Sequence, residues 1–132
     1  MPSSRLTILL VPGLVLSLSG CLSFSGGGLA PASPGATSLA GGIIGKSAYA
    51  PQLSSGAIAR AVEAEYQALQ FGSVGEPIAW SGDGASGRVV PTQVYRVGSQ
   101  DCRGYTQFLE GADPKGLAGT ACRAGDGTWV MV

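Results

Sequence analysis

The segment DCRGYTQFLEGADPKGLAGTACR, residues 101–123, decides how this chain folds, because it places two of its three cysteines symmetrically about a turn. Paired residues of an antiparallel hairpin are equidistant from its turn, and Cys102 and Cys122 each lie ten residues from Ala112. Ala112 belongs to Gly-Ala-Asp-Pro, residues 111–114, the strongest turn signal between the two runs. Cysteines facing each other across such a ladder have Cα atoms about 4.5 to 5.5 Å apart, inside the roughly 4.4 to 6.8 Å that a disulfide spans. The same register sets Tyr105 opposite Gly119, where the ring can cover the bare backbone. Pro114 is the residue that would widen the loop and shift the register, so the bond is the firmer expectation. The competing arrangement is two buried free thiols, and export to an oxidising compartment selects the disulfide.

Short β-like runs surround this hairpin. They cover residues 77–80, 88–97, 102–109, 117–123 and 128–132, separated by SGDGASG, GSQD, EGADPKG and AGDG. Spacers of this length, rich in Gly and Asp, join neighbours as hairpins and predict an antiparallel meander. Pro91 cannot donate to a ladder, so its strand lies at an edge or carries a bulge there. Upstream, Ile58, Ala61, Val62, Tyr66 and Leu69 recur at helical spacing between a capping Ser54 or Ser55 and a terminating Gly72. Arg60, Glu63 and Gln67 fall on the opposite side. The expected architecture is α+β: one N-terminal amphipathic helix packed on a small four- to five-stranded antiparallel sheet, with one disulfide.

The third cysteine needs a separate role. Residues 6–18, LTILLVPGLVLSL, follow a short start bearing Arg5 and are too few to cross a bilayer core, which takes roughly 20 apolar residues. Their length and order are those of a secretory signal, and a buried core helix is disfavoured by Pro12 and Gly13 in mid-run. The run closes on Leu18-Ser19-Gly20-Cys21, which resembles the lipobox of bacterial lipoproteins. That resemblance implies removal of residues 1–20 and acylation of Cys21, with two or three acyl chains giving the stable attachment that one cannot. Leu22 follows the cysteine, where an aspartate is the usual inner-membrane retention signal; the resemblance therefore points to the outer membrane. Residues 21–52 then read as the lipidated cysteine and a flexible Gly, Ser, Ala and Pro linker, and residues 53–132 as the folded domain. Within the linker, residues 41–45 (GGIIG) match the G-x-x-x-G packing motif in letters, but their apolar core is too short to span.

Chemical motifs are sparse. The whole chain balances eight Lys and Arg against eight Asp and Glu and has no histidine, which removes the commonest general base and metal ligand. No basic stripe suggests nucleic acid. Gly82, Gly84 and Gly87 spell G-x-G-x-x-G, but a strand rather than a helix follows, so the motif reads as a hairpin loop and not a phosphate cradle. Glu63 and Glu65 fall on different faces of the helix, and no acidic pair has metal-ligand spacing. No catalytic residue, metal, cofactor or small-molecule substrate is expected. The arginine and aromatic residues Trp80, Arg88, Arg96, Arg103 and Arg123 are the candidate partner-binding set, since such side chains anchor interfaces. Otherwise the aromatics fill a small core and the arginines edge the sheet.

GRVVPT at 87–92, DCRGY at 101–105 and GTACRAGDGTW at 119–129 resemble the C-terminal signature of the seventeen-kilodalton surface-antigen family of bacterial outer-membrane lipoproteins. The stretch EAEYQALQFGSVGEPIAW, residues 63–80, is similar too, so the resemblance runs from about residue 55 to residue 132. It implies a lipid-anchored outer-membrane surface antigen or structural envelope lipoprotein, non-enzymatic, held at the periplasmic face or the cell surface through acyl chains on Cys21. Any further partner is an envelope protein. The alternative is a periplasmic protein-binding module, such as a hydrolase inhibitor presenting residues 81–87 as a loop.

Overall fold

A computed structural model describes residues 33–132. Its elements, in chain order, are the short helices α1 (Pro34–Thr37) and α2 (Gly42–Gly45), a 3-10 turn at Ala50–Gln52, the helix α3 (Ser55–Phe71), and strands β1 (Ile78–Gly82), β2 (Ala85–Val97), β3 (Gln100–Leu109), β4 (Leu117–Arg123) and β5 (Trp129–Met131). The strands form one antiparallel sheet in the order β1-β2-β3-β4-β5, a meander, and α3 packs on it.

Each hairpin follows from its turn residues. Asp83 and Gly84, with φ of +52° and +78°, are the only residues between Gly82 and Ala85, which pair. Positive φ at both central positions is what a type I′ turn demands. The expected seven-residue spacer SGDGASG is therefore mostly strand; only its Asp-Gly pair turns. Gly98, at φ +60°, opens an equally short link between the paired Val97 and Gln100. The register shifts between Pro91 and Gln93, a bulge at the proline that the sequence marks. Replacing Gly84 by Val forces a β-branched residue into a left-handed conformation and is expected to cost about 1 to 2 kcal/mol. Gly125→Ala, where an added methyl meets nothing within 4 Å and φ is not positive, serves as the neutral control. Urea midpoints of the two variants measure the difference.

The β3–β4 register agrees with the sequence expectation at both pairs it names: Cys102 opposite Cys122 and Tyr105 opposite Gly119. The cysteines are bonded, with Cα atoms 4.0 Å apart, closer than the separation the sequence argument assumes, and a Cβ on Gly119 would lie 2.7 Å from the Tyr105 ring. Alternation along the strands sends Tyr105, Gln107, Ala121 and Trp129 toward α3 and the disulfide to the opposite face.

The helix α3 begins where Ser54 accepts a hydrogen bond from Ala57 N at 3.0 Å, as an N-cap should, and ends at Gly72. Ala61, Val62 and Leu69 are buried as the spacing predicts, Val62 beside Ala36 and Gly41 of the N-terminal segment, while Tyr66 is only half-buried, its ring lying against Gly35. One expectation is corrected. The stretch 33–52, read as flexible linker, is folded: Leu39 and Ile44 are fully buried and join the core with Ala36. Its two four-residue helices have no amphipathic period to detect, and tertiary contacts hold them instead. Ser38 donates to Trp129 O at 3.0 Å, and the amides of Ile43 and Ile44 donate to a carboxylate of α3. The expected signal peptide, residues 1–20, and the lipobox Cys21 lie outside the described residues.

Candidate functional site

The five expected interface residues do not converge. Trp80 on β1 is 7 % exposed and belongs to the core, where its indole N–H donates to Gln107 Oε1 at 2.7 Å. Gln107 in turn donates to Ala61 O at 3.3 Å, so the interior polar chain from β1 through β3 to α3 is closed. Arg88 lies over the ring of Phe108 on the face away from the helix, 4.2 Å from its centroid. Arg96 pairs with the Asp101 carboxylate at 3.1 Å near the end of the β2–β3 hairpin, with both side chains well exposed. An exposed pair of this kind adds little stability.

Arg103 and Arg123 meet at the C-terminal end of α3. Their guanidinium carbons lie 5.6 and 4.8 Å from the ring centroid of Trp129, within cation–π range. Arg103 donates to Leu69 O at 2.8 Å, one of the carbonyls the helix cannot satisfy itself. Arg123 and the Trp129 indole N–H both donate to Gln70 Oε1, at 3.0 and 2.9 Å. Two cations at a helix C-terminus complement its dipole, so this arginine–tryptophan cluster joins sheet to helix. The buried Nε of each arginine has no partner among the described residues.

The residue the sequence reading passed over is Glu65. It is fully buried between α3, α2 and the sheet, although charged groups at such depth are rare. Its Oε1 accepts from Ile43 N at 3.1 Å and Ile44 N at 3.4 Å, while Oε2 is buried without a partner and lies where a side chain on Gly42 would begin. Gly42 is thus required twice, for its φ of +61° and for the room it leaves. Burial is the main cause that pushes the Glu65 carboxyl from 4.5 up to about 7, against the backbone donors of Ile44 and Ile43 and the side chains of Gln107 and Tyr105, which favour the charged form. Burial and the neighbouring Glu65 also raise the Tyr105 phenol far above its ordinary value. The signal was present in the spacing: position 65 falls four after Ala61 and four before Leu69, on the apolar stripe.

A cleft of about 650 Å³ lies between α3 and β1, lined by Arg60, Glu63, Gln67, Ile78 and Trp80 on the helix side, and reaching Arg88 and Glu110. Both Glu63 oxygens are engaged, by Ser33 Oγ at 2.9 Å and Gln67 Nε2 at 3.1 Å. Among the described residues no group of three or more His, Cys, Asp or Glu is placed to hold a metal ion, and no helix is long and apolar enough to cross a membrane. No protein-family model matches the chain, and neither a curated protein nor a solved structure is significantly similar to it.

Proposed function

We propose that the chain is a lipid-anchored structural protein of the bacterial outer membrane, non-catalytic, of the surface-antigen kind that its C-terminal motifs resemble. One structural observation supports the non-catalytic reading best. The polar and cationic groups of the sheet face toward α3 are spent on internal bonds: Trp80 on Gln107, Gln107 on Ala61, Arg103 on Leu69, and Arg123 and Trp129 on Gln70. The Cys102–Cys122 bond accords with an oxidising compartment. Attachment rests on the sequence alone, on the LSGC segment that closes the signal-like run.

Cys21→Ser tests it. The variant should accumulate as an unprocessed precursor or lose its outer-membrane fractionation, whereas normal processing and unchanged fractionation would remove the lipoprotein reading. A second reading, a periplasmic protein-binding module, is favoured by one feature, the unpaired edge of β1 beside the α3 cleft. An inhibitory loop at 81–87 is not its form, because β1 and β2 pair through Gly82 and Ala85 and leave two residues in the turn.

A further inference from the structure

The sheet has two outer strands, and they are treated differently. At β5, Ser38 covers the outward carbonyl of Trp129. The part of β2 that extends beyond β1 carries the Pro91 bulge, where Gly75 N donates to Pro91 O at 2.8 Å, and further along the charged Arg96. Bulges, charges and covering loops are the usual means of blunting an edge. Strand β1 has none of them. From Ile78 to Gly82 it reads Ile-Ala-Trp-Ser-Gly, with no charge, proline or bulge.

The pairing tells which of its backbone groups are free. A two-residue turn makes Gly82 and Ala85 a hydrogen-bonded pair, and bonded pairs then alternate, at Trp80 with Gly87 and Ile78 with Val89. Ala79 and Ser81 therefore aim their N–H and C=O groups outward, and both residues are exposed. No partner for these groups exists among the described residues. The two outward residues are symmetric about Trp80.

We propose that β1 is the edge through which two copies of this chain associate, antiparallel about a two-fold axis at Trp80. Ala79 of each copy then faces Ser81 of the other, and every outward N–H and C=O of the two residues finds a partner. A closed isologous contact of this type is the commonest symmetry of soluble oligomers. Charge selects a second copy over a strongly acidic or basic partner. The cleft beside β1 carries Arg60 and Arg88 against Glu63 and Glu110, a balanced set. Because Arg60 sits over Gly82, at the far end of β1 from Ile78, the two-fold brings Arg60 of each copy alongside the stretch from Glu63 to Gln67 of the other. The exposed sides of both helices then close over the joined strands, and the two clefts become one interior. The inference does not depend on the lipid anchor.

The test uses the full chain carrying Cys21→Ser, which removes the one cysteine outside the disulfide. Sedimentation equilibrium from about 5 to 200 µM should show a reversible monomer–dimer system. Ala79→Pro deletes an outward N–H without touching the β1–β2 ladder, a tolerated place for proline, and should weaken association at least ten-fold with an unchanged circular dichroism spectrum. The second variant does not rely on proline being accepted. In the Ala79→Cys, Ser81→Cys double variant, mild oxidation should give a covalent dimer, because facing residues of an antiparallel pair lie within disulfide reach. A chain that stays monomeric throughout overturns the proposal. So does a dimer that survives Ala79→Pro undiminished, or one that the facing cysteines fail to cross-link.

Discussion

Raising the pH from 4.5 to 8 should cost the folded protein about 3 kcal/mol through Glu65 alone, the equivalent of a carboxyl held at about 7 when folded and at 4.5 when unfolded. The folded state binds the proton more tightly, so the Glu65 contribution is fully present below 4.5, declines as the pH rises above that value, and is gone above 7. The direction is opposite to that of most carboxylates. Asp126, held low by hydrogen bonds from the Thr128 hydroxyl and amide, contributes stability at neutral pH that is lost on acidification. Tyr105 is the titratable group facing Glu65 from β3; it stays neutral across this range, because its own shift is upward.

Glu65→Gln keeps the shape and the acceptor for Ile43 and Ile44 while removing the charge. Its urea midpoint should be nearly flat between pH 5 and 8.5, and at pH 8.5 it should exceed that of the parent. Parallel pH profiles for parent and variant would show that Glu65 is not a buried titrating group. Glu65→Ala is expected to be worse than either at every pH, since it leaves the buried Ile44 amide and the half-buried Ile43 amide without an acceptor, at about 1 to 3 kcal/mol for the buried one.

The segments legible in the sequence are those whose local pattern and tertiary role coincide. Strand β4 has the expected limits, Leu117–Arg123, because Gly116 and the turn before it bound one side and the Ala-Gly-Asp-Gly turn the other. The helix α3 is bounded by Ser54 and Gly72 in both readings. The illegible segment is 33–52. Its buried residues Ala36, Leu39 and Ile44 have no common period, and they are ordered by what α3 and, from the other end of the chain, β5 offer. Composition resembled a linker because glycine is needed there for close approach, as at Gly35 under Tyr66 and Gly42 against Glu65. The candidate interface residues were found by type, and type alone does not tell an arginine that caps a helix from one that meets a partner. Only the pairing pattern of β1, visible once its turn is known to be two residues, exposes an edge.

The disulfide carries the other large effect. Cys102 and Cys122 are separated by 20 residues, and closing a loop of that size stabilises the fold by about 3 kcal/mol in the chain-entropy model. For a domain near 100 residues this is a fall in melting temperature of roughly 12 to 24 °C. The bond bridges the two central hairpin strands on the face away from α3, in a row with Tyr95 on β2 and Val130 on β5. Cys102 is fully buried and Cys122 nearly so. Cys102→Ala, Cys122→Ala should therefore lose the loop constraint without burying a polar group, whereas the double serine variant buries two hydroxyls in place of the bond and should melt lower still. Reduction must be verified by alkylation, because a shielded bond reacts slowly. A melting temperature that is unchanged after complete reduction, with both thiols alkylated, would mean that the register between β3 and β4 is held by Tyr105 over Gly119 and by the sheet alone. The double alanine variant separates those contributions: if the bond acts on the unfolded chain, its folding rate falls while the spectrum of the native state stays that of the parent.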